Sequence, residues 1–146
     1  MSKYRHFELD EFLKSDVAAQ RRIDNTPSFE VVDHLEELTE KFLEPLRTAL
    51  GLPIVIGSGF RCSKLNSAVG GSSTSAHPLG YAADLSCPYM AFTKFKDFVV
   101  NWVKKNNIKF DQILIETERA TGKQWLHVGL YNGTGQQRCQ IKVMNV

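Results

Sequence analysis

The chain has 146 residues, of which 42% are hydrophobic and 23% are charged, and its net charge at neutral pH is +2. This length suits a single domain with one core, spanning residues 1–146, and the composition is that of an ordinary globular protein. The net charge is too small to indicate nucleic-acid binding, and no apolar run approaches the ~20 residues that a membrane-spanning helix needs. We therefore expect no nucleic-acid partner and no membrane insertion.

The N-terminus and the cysteines indicate in which cellular compartment the protein is made. Residues 1–6 are not followed by the apolar segment of a secretory signal, so we expect a protein that is cytoplasmic as synthesised. Cys62, Cys87 and Cys139 are odd in number and show no Cys-x-x-Cys spacing. Such cysteines are expected to be reduced thiols.

The first half of the chain predicts helices. A short helix is expected from Ser15 to about Arg21, and Thr26 with Pro27 indicates a second helix start, because threonine caps helices and proline suits the first helical position. We expect Pro45 to kink or break this second helix, because proline removes an amide donor, and Gly51 to end it. Its buried side is marked by apolar residues at three- and four-residue steps: Val31, Leu35, Leu38, Phe42 and Leu46.

The second half of the chain is richer in strands. Residues 62–76 read as irregular loop, and an aromatic and aliphatic stripe beginning at Phe92 predicts a helix that ends near Asn106. Helices early in the chain and strands later favour an α+β fold, with helices packed on one side of a small antiparallel sheet. The expected strands are residues 53–56, 81–87, 110–116 and 125–130, the last two forming an antiparallel pair.

Three residues form a candidate metal site. His77 and Asp84 are separated by a turn glycine, Gly80, and His127 follows in a strand-like run. A histidine in an apolar strand is usually a core residue, so His127 alone would indicate little. Two imidazoles and one carboxylate are, however, a common protein set for catalytic zinc, which keeps a fourth position open for water.

The segment from Ser75 to Asp84 reads Ser-x-His-x-x-Gly-x-Ala-x-Asp, and residues 125–127 read Trp-x-His. This pattern resembles the zinc D-alanyl-D-alanine metallopeptidases, which include peptidoglycan carboxypeptidases, dipeptidases and phage endolysins, and which share a fold with the hedgehog signalling domain. Residues 56–61, Ile-Gly-Ser-Gly-Phe-Arg, look like the Ser-Gly-Tyr-Arg segment of that family. The general layout is most similar to the short phage-type branch.

The resemblance implies a hedgehog-like fold and a zinc cofactor bound by His77, Asp84 and His127. The implied substrates are the peptide stems of peptidoglycan, reached after the protein is released to the cell wall, and we expect a monomer. Arg61 would bind a substrate carboxylate or stabilise the developing oxyanion, which suits its fork of donors. Ser75 would hydrogen-bond the substrate or orient its loop, and Asn66 would bind substrate or cap the turn.

One position departs from the family pattern. Better-known members carry a carboxylate three residues before the last histidine ligand, as the general base, and here that position is Gln124. An amide cannot accept and return a proton at neutral pH. Glu116 is the nearest substitute, because pairing it with Trp125 would place it on the same face of the sheet as His127. Glu118, in the following loop, is a second candidate.

Two functions of different classes remain open at this point. The main interpretation is a zinc peptidase that hydrolyses an amide bond in peptidoglycan stem peptides, of the endolysin or D,D-carboxypeptidase type. The alternative is a catalytically weak, zinc-containing module that binds cell-wall peptides or a protein partner, and the amide at Gln124 favours it. A metal-free structural protein would require His77, Asp84 and His127 to assemble by accident.

Overall fold

The computed structural model describes residues 4–146, so the expectation about a secretory signal falls in part on residues 1–3, outside the described residues. Within residues 4–146, six α-helices and five strands are accompanied by a π-helical segment, Thr39–Leu43, and a 3-10 turn, His77–Leu79. The helices are α1 Leu9–Leu13, α2 Asp16–Arg21, α3 Phe29–Leu38, α4 Glu44–Leu50, α5 Ser63–Ala68 and α6 Phe92–Lys105. The strands are β1 Val55–Ser58, β2 Ala82–Ser86, β3 Gln112–Thr117, β4 Gln124–Gly129 and β5 Gln140–Asn145.

Local capping explains where the early helices begin. The Ser15 hydroxyl accepts a hydrogen bond from the Ala18 amide, 3.2 Å away, and caps α2, which confirms the short helix expected from Ser15 to about Arg21. The predicted start at Thr26 and Pro27 is wrong, because Ser28 caps α3 instead. The Thr26 hydroxyl donates to Asp24, 2.6 Å away, in a local turn that precedes the helix.

The α3 helix passes into α4 through the π-helical segment. Pro45 lies in the first turn of α4, directly after the π-helical segment, and has no amide hydrogen to donate to the preceding turn. The interruption expected at Pro45 takes the form of one wide turn, Thr39–Leu43, shortly before the proline. Gly51, at a φ of 73°, ends α4 in the left-handed conformation, as the sequence predicted.

The strands form one sheet in the order β1-β2-β4-β3-β5. The first three pairings in this order are antiparallel, and the predicted pairing of residues 110–116 with residues 125–130 is confirmed as β3 with β4. Two expectations are corrected. Strand β5 was not predicted and pairs in parallel with β3, and the region 62–76, predicted as loop, contains helix α5.

The sheet has a core face and a cleft face. Ala83, Leu85, Leu126 and Val128 point into a single apolar cluster with the helices, which confirms the predicted α+β arrangement. The helical side of that cluster includes Leu35, Leu38, Phe42, Leu46, Phe95, Val99 and Trp102. Because strand side chains alternate, the residues between them face the other way, into an open cleft.

Among residues 4–146, none of the helices combines the length and the hydropathy that crossing a bilayer requires.

Candidate metal centre

Three separate elements bring the predicted ligands together at the base of the cleft. His77 begins the 3-10 turn, Asp84 lies in the middle of β2 and His127 lies in β4. Asp84 and His127 are direct partners in the β2–β4 ladder, so their side chains share a face of the sheet. His77 is 1% exposed and approaches the pair from above the sheet.

The spacing of the donor atoms fits a small tetrahedral ion. His77 Nε2 lies 3.3 Å from Asp84 Oδ1 and 3.2 Å from His127 Nδ1, and His127 Nδ1 lies 3.1 Å from Asp84 Oδ1. An ion with tetrahedral geometry and bonds of about 2.0–2.1 Å needs ligand atoms roughly 3.3–3.4 Å apart. The three donors therefore fit a metal such as zinc, and all three residues line the cleft.

A backbone carbonyl orients His77 for this role. His77 Nδ1 lies 2.6 Å from the carbonyl oxygen of Gly59, which can only accept, so Nδ1 carries the proton and Nε2 keeps its lone pair toward the site. Residue 59 must be glycine here, because an added Cβ would lie 2.6 Å from the Cα of Phe12. The Ile-Gly-Ser-Gly-Phe-Arg segment thus orients the candidate ligand His77 through the Gly59 carbonyl.

The electrostatics of the cluster favour the protonation states that a metal requires. Burial lowers the pKa of His77, against the opposing effect of Asp84, so its imidazole stays neutral. Burial alone would raise the pKa of Asp84, but the two imidazoles hold it well below its ordinary value. Neutral imidazole nitrogens and an ionised carboxylate are the forms that bind a metal.

A tight turn between the first two ligands docks on helix α3. Gly80 has a φ of 81°, which an L side chain rarely adopts, and an added Cβ would lie 2.8 Å from the carbonyl oxygen of Val31. His34 lies 2.6 Å, through Nδ1, from the carbonyl oxygen of Leu79 and stacks on Tyr81 with ring centroids 4.0 Å apart. The turn glycine predicted from the motif is therefore required both by backbone conformation and by space.

The cleft above the cluster has a volume of about 550 Å³, and Arg61, Ser75 and Glu116 line it beside the three candidate ligands. Glu116 pairs with Trp125 in the β3–β4 ladder, the register that places it on the same face of the sheet as His127. Trp125 Nε1 donates to Glu116 Oε1 over 3.1 Å. Burial, followed by the negative charge of Asp84, raises the pKa of Glu116 above its ordinary value.

Comparison with known families shows to which family the chain belongs. Residues 5–120 match the sequence model of a family described as Peptidase M15. The chain belongs to the peptidase M15 family. These are the zinc-dependent D-alanyl-D-alanine metallopeptidases, so the expected family and the coarse activity of a metallopeptidase are confirmed. A search of curated proteins finds no match to this chain.

The M15 match covers only part of the site. It includes Arg61, His77, Asp84 and Glu116, and it ends before β4, where His127 lies, and before β5. His127 is therefore placed in the site by the β2–β4 pairing and by its distances to the other two donors.

Arg61 and Ser75 both line the cleft beside the candidate metal centre. Burial lowers the pKa of Arg61, although Asp84 and Glu116 oppose this effect, and within residues 4–146 its buried Nε has no hydrogen-bond partner. The Ser75 hydroxyl accepts from the His77 amide over 3.1 Å, so it also orients the ligand turn.

Three other candidates do not line this cleft. Gln124 is exposed, pairs with Thr117 and shares its side of β4 with Leu126, opposite to His127. The Glu118 carboxylate accepts from the Thr121 hydroxyl, within the β3–β4 turn. Asn66 is 5% exposed, and its Nδ2 donates to the Ser72 carbonyl, which holds the loop at one rim of the cleft.

Sequence reasoning missed the far wall of this cleft. It is built by β5 and by the segment before it, including Arg138, Lys142 and Met144. Asp111 and Arg138 form a two-pronged ion pair there, with both N–O distances at 2.8 Å. Residues 140–145 alternate polar and apolar side chains in part, and this pattern was the available signal for the strand.

Proposed function

We propose that the chain is a zinc metallopeptidase that hydrolyses an amide bond in the peptide stems of peptidoglycan, as an endolysin or a D,D-carboxypeptidase. One observation carries this proposal. The nearly equilateral triangle of donor atoms from His77, Asp84 and His127 opens into a cleft that also holds a carboxylate, Glu116, and a half-buried guanidinium, Arg61. This combination suits metal-assisted hydrolysis of a peptide.

His77, Asp84 and His127 would hold the zinc. When bound in such a set, zinc lowers the pKa of water and polarises a carbonyl group. Ser75 keeps the first ligand in place through the His77 amide, and the Gly59 carbonyl fixes the ring of the same residue. These two hydrogen bonds hold His77 in position before a metal binds.

Glu116 would act as the general base. Trp125 engages Oε1, which leaves Oε2 to accept a proton from the attacking water and to return it to the leaving amine. A raised pKa suits this exchange, because a base that titrates nearer to neutral pH can both take and give a proton.

Arg61 would bind a carboxylate of the substrate or the oxygen on which negative charge develops. Asp84 and Glu116 both lie near enough to act on the pKa of Arg61, and a guanidinium close to the candidate site suits either role. The unpartnered Nε is a donor that a bound substrate oxygen could satisfy.

The alternative is a zinc-containing binding module with weak activity. Gln124 favours it, because the usual position of the base holds an amide that points away from the cleft. Glu116 favours the enzyme, because it supplies a carboxylate on the face where Gln124 supplies none. Under both proposals the protein is a monomer of the short phage-type branch and reaches the cell wall after release from the cell.

The deciding experiment is digestion of purified peptidoglycan with the zinc-loaded protein. Fragments are identified by mass spectrometry, in parallel with a chelator-treated sample and with a Glu116→Gln sample of equal zinc content. New amine ends that disappear in both controls support the peptidase. Retention on peptidoglycan without any new fragment supports the binding module.

A further inference from the structure

One row of residues crosses the sheet from the candidate metal ligands to its far edge. Asp84 pairs with His127, His127 pairs with Leu114, and Leu114 pairs with Lys142 of β5. Because direct partners share a face, all four side chains point to the cleft side. Lys142 therefore stands in line with the ligands, at the edge strand that lies beyond the family match.

The neighbours of Lys142 in this cleft already have partners. Glu116, diagonal to it, is held toward β4 by Trp125. Arg138 is neutralised by Asp111, whose pKa its hydrogen bonds hold low in spite of burial. Across the part of the chain that the structure describes, Lys142 makes no ion pair with a carboxylate, so its charge is available to a ligand.

The spacing of the strands sets the distance from the cleavage site. Adjacent strands lie about 4.8 Å apart, so the backbone of Lys142 is roughly 10 Å from that of His127. An extended peptide advances about 3.3 Å per residue and covers this distance in about three residues. Leu114, between them, offers an apolar surface for the intervening side chains.

We infer that Lys142 forms a subsite for a free carboxylate on the substrate, two or three residues from the bond that is cut. This inference rests on the proposed peptidase function and names its substrate class, an acidic peptide. Met144, next on the cleft side of β5, adds a flexible apolar side chain to the same wall of the cleft.

An edge-strand lysine can have another purpose, since charge on an edge discourages pairing with a second molecule. That purpose depends on solubility and not on the ligand. It therefore predicts the same result for acidic and neutral peptides, which makes the two roles separable.

The test uses two synthetic stem pentapeptides that differ only in a free or an amidated glutamate carboxylate. The ratio of kcat/KM between the acidic and the amidated peptide is measured for the zinc-loaded wild type, for Lys142→Ala and for Lys142→Glu. We expect Lys142→Ala to lower this ratio about three- to ten-fold, and Lys142→Glu to lower it further. Lys109→Ala is the matched control, an exposed lysine outside the cleft, and should keep the ratio of the wild type.

Affinity separates the failure of this inference from that of the proposed function. Titration calorimetry in a Glu116→Gln background compares the two peptides with and without Lys142→Ala. A preference for the acidic peptide that depends on Lys142, without turnover of either peptide by the wild type, overturns the peptidase and supports the subsite. Equal ratios and equal affinities in all variants overturn the subsite, whether or not turnover is observed.

Discussion

At the scale of single residues, the first prediction concerns Glu116 as the general base. Glu116 lies on the cleft side of β3, whereas Glu118 is engaged in the turn and Gln124 faces away. General-base assistance contributes about 10²–10⁴ in rate. We therefore expect Glu116→Gln to lose about that factor in kcat at unchanged zinc content, measured by peptide hydrolysis with elemental analysis.

Glu118 and Gln124 provide the controls for this prediction. Glu118→Gln should retain the activity of the wild type, because its carboxylate is bound to Thr121 outside the cleft. A large gain of activity in Gln124→Glu, from a nearly inactive parent, would contradict the role of Glu116 and favour the binding module.

Arg61 permits a second test at this scale. Lysine retains the positive charge but cannot reproduce the planar fork that binds a carboxylate through two hydrogen bonds. We expect Arg61→Lys to lower kcat/KM by about ten-fold or more, with zinc content unchanged. Arg21→Lys, an exposed position on α2, is the matched control, and equal losses in both variants would reduce Arg61 to a structural role.

At the scale of elements, the ligand turn and helix α3 form one unit through Gly80. Alanine at this position meets two costs, a left-handed backbone and a carbonyl oxygen 2.8 Å from the new Cβ. Left-handed backbone costs an L residue about 1–2 kcal/mol, and the contact adds to it. We expect Gly80→Ala to destabilise the metal-free protein by about 2–3 kcal/mol in urea unfolding and to weaken zinc binding.

Gly122 isolates the backbone contribution. It has a φ of 74° in the β3–β4 turn, and a Cβ there would meet nothing within 4 Å. Gly122→Ala should therefore cost only about 1–2 kcal/mol and leave zinc affinity unchanged. Equal destabilisation and equal zinc affinity in the two variants would show that the contact with α3 does not position the ligand turn.

At the scale of the whole molecule, metal binding depends on the complete fold. The donors come from a 3-10 turn and two strands, and His77 and His127 are 50 residues apart. The unfolded chain has no such site, so zinc should stabilise the folded state by about 2.7 kcal/mol at a free concentration of 100 Kd. For a chain of this size we expect a rise in Tm of about 5–10 °C.

Calorimetry and elemental analysis check this expectation together. The wild type should hold about one equivalent of zinc, and His77→Ala or His127→Ala should lose both the zinc and the rise in Tm. His6→Ala is the matched control, since His6 pairs with Glu44 away from the cluster. Full retention of zinc by both variants would show that His77 and His127 are not the zinc ligands.

The sequence by itself determined most of the elements and which residues meet at the candidate site. The motif from Ser75 to Asp84 is local, and the structure brings its histidine and its aspartate together around a turn glycine, as the spacing predicted. Apolar residues that recur every 3.6 or every 2 residues predicted the long helices and four strands, because burying one face of a helix or a strand imposes that spacing. The sequence left the exact register of β3 and β4 open, and the structure adopts the one that pairs Glu116 with Trp125.

Only the tertiary structure decided the rest. The parallel pairing of β5 with β3 joins segments distant in the chain, and no local pattern specifies such a partner. Thr26 and Ser28 are both residues that can cap a helix, and only the structure shows that Ser28 caps α3 and that a wide turn, Thr39–Leu43, precedes Pro45. The cleft wall with Lys142 exists because long-range pairing places separate strands on one face, and this is a property of packing that spacing along the chain cannot encode.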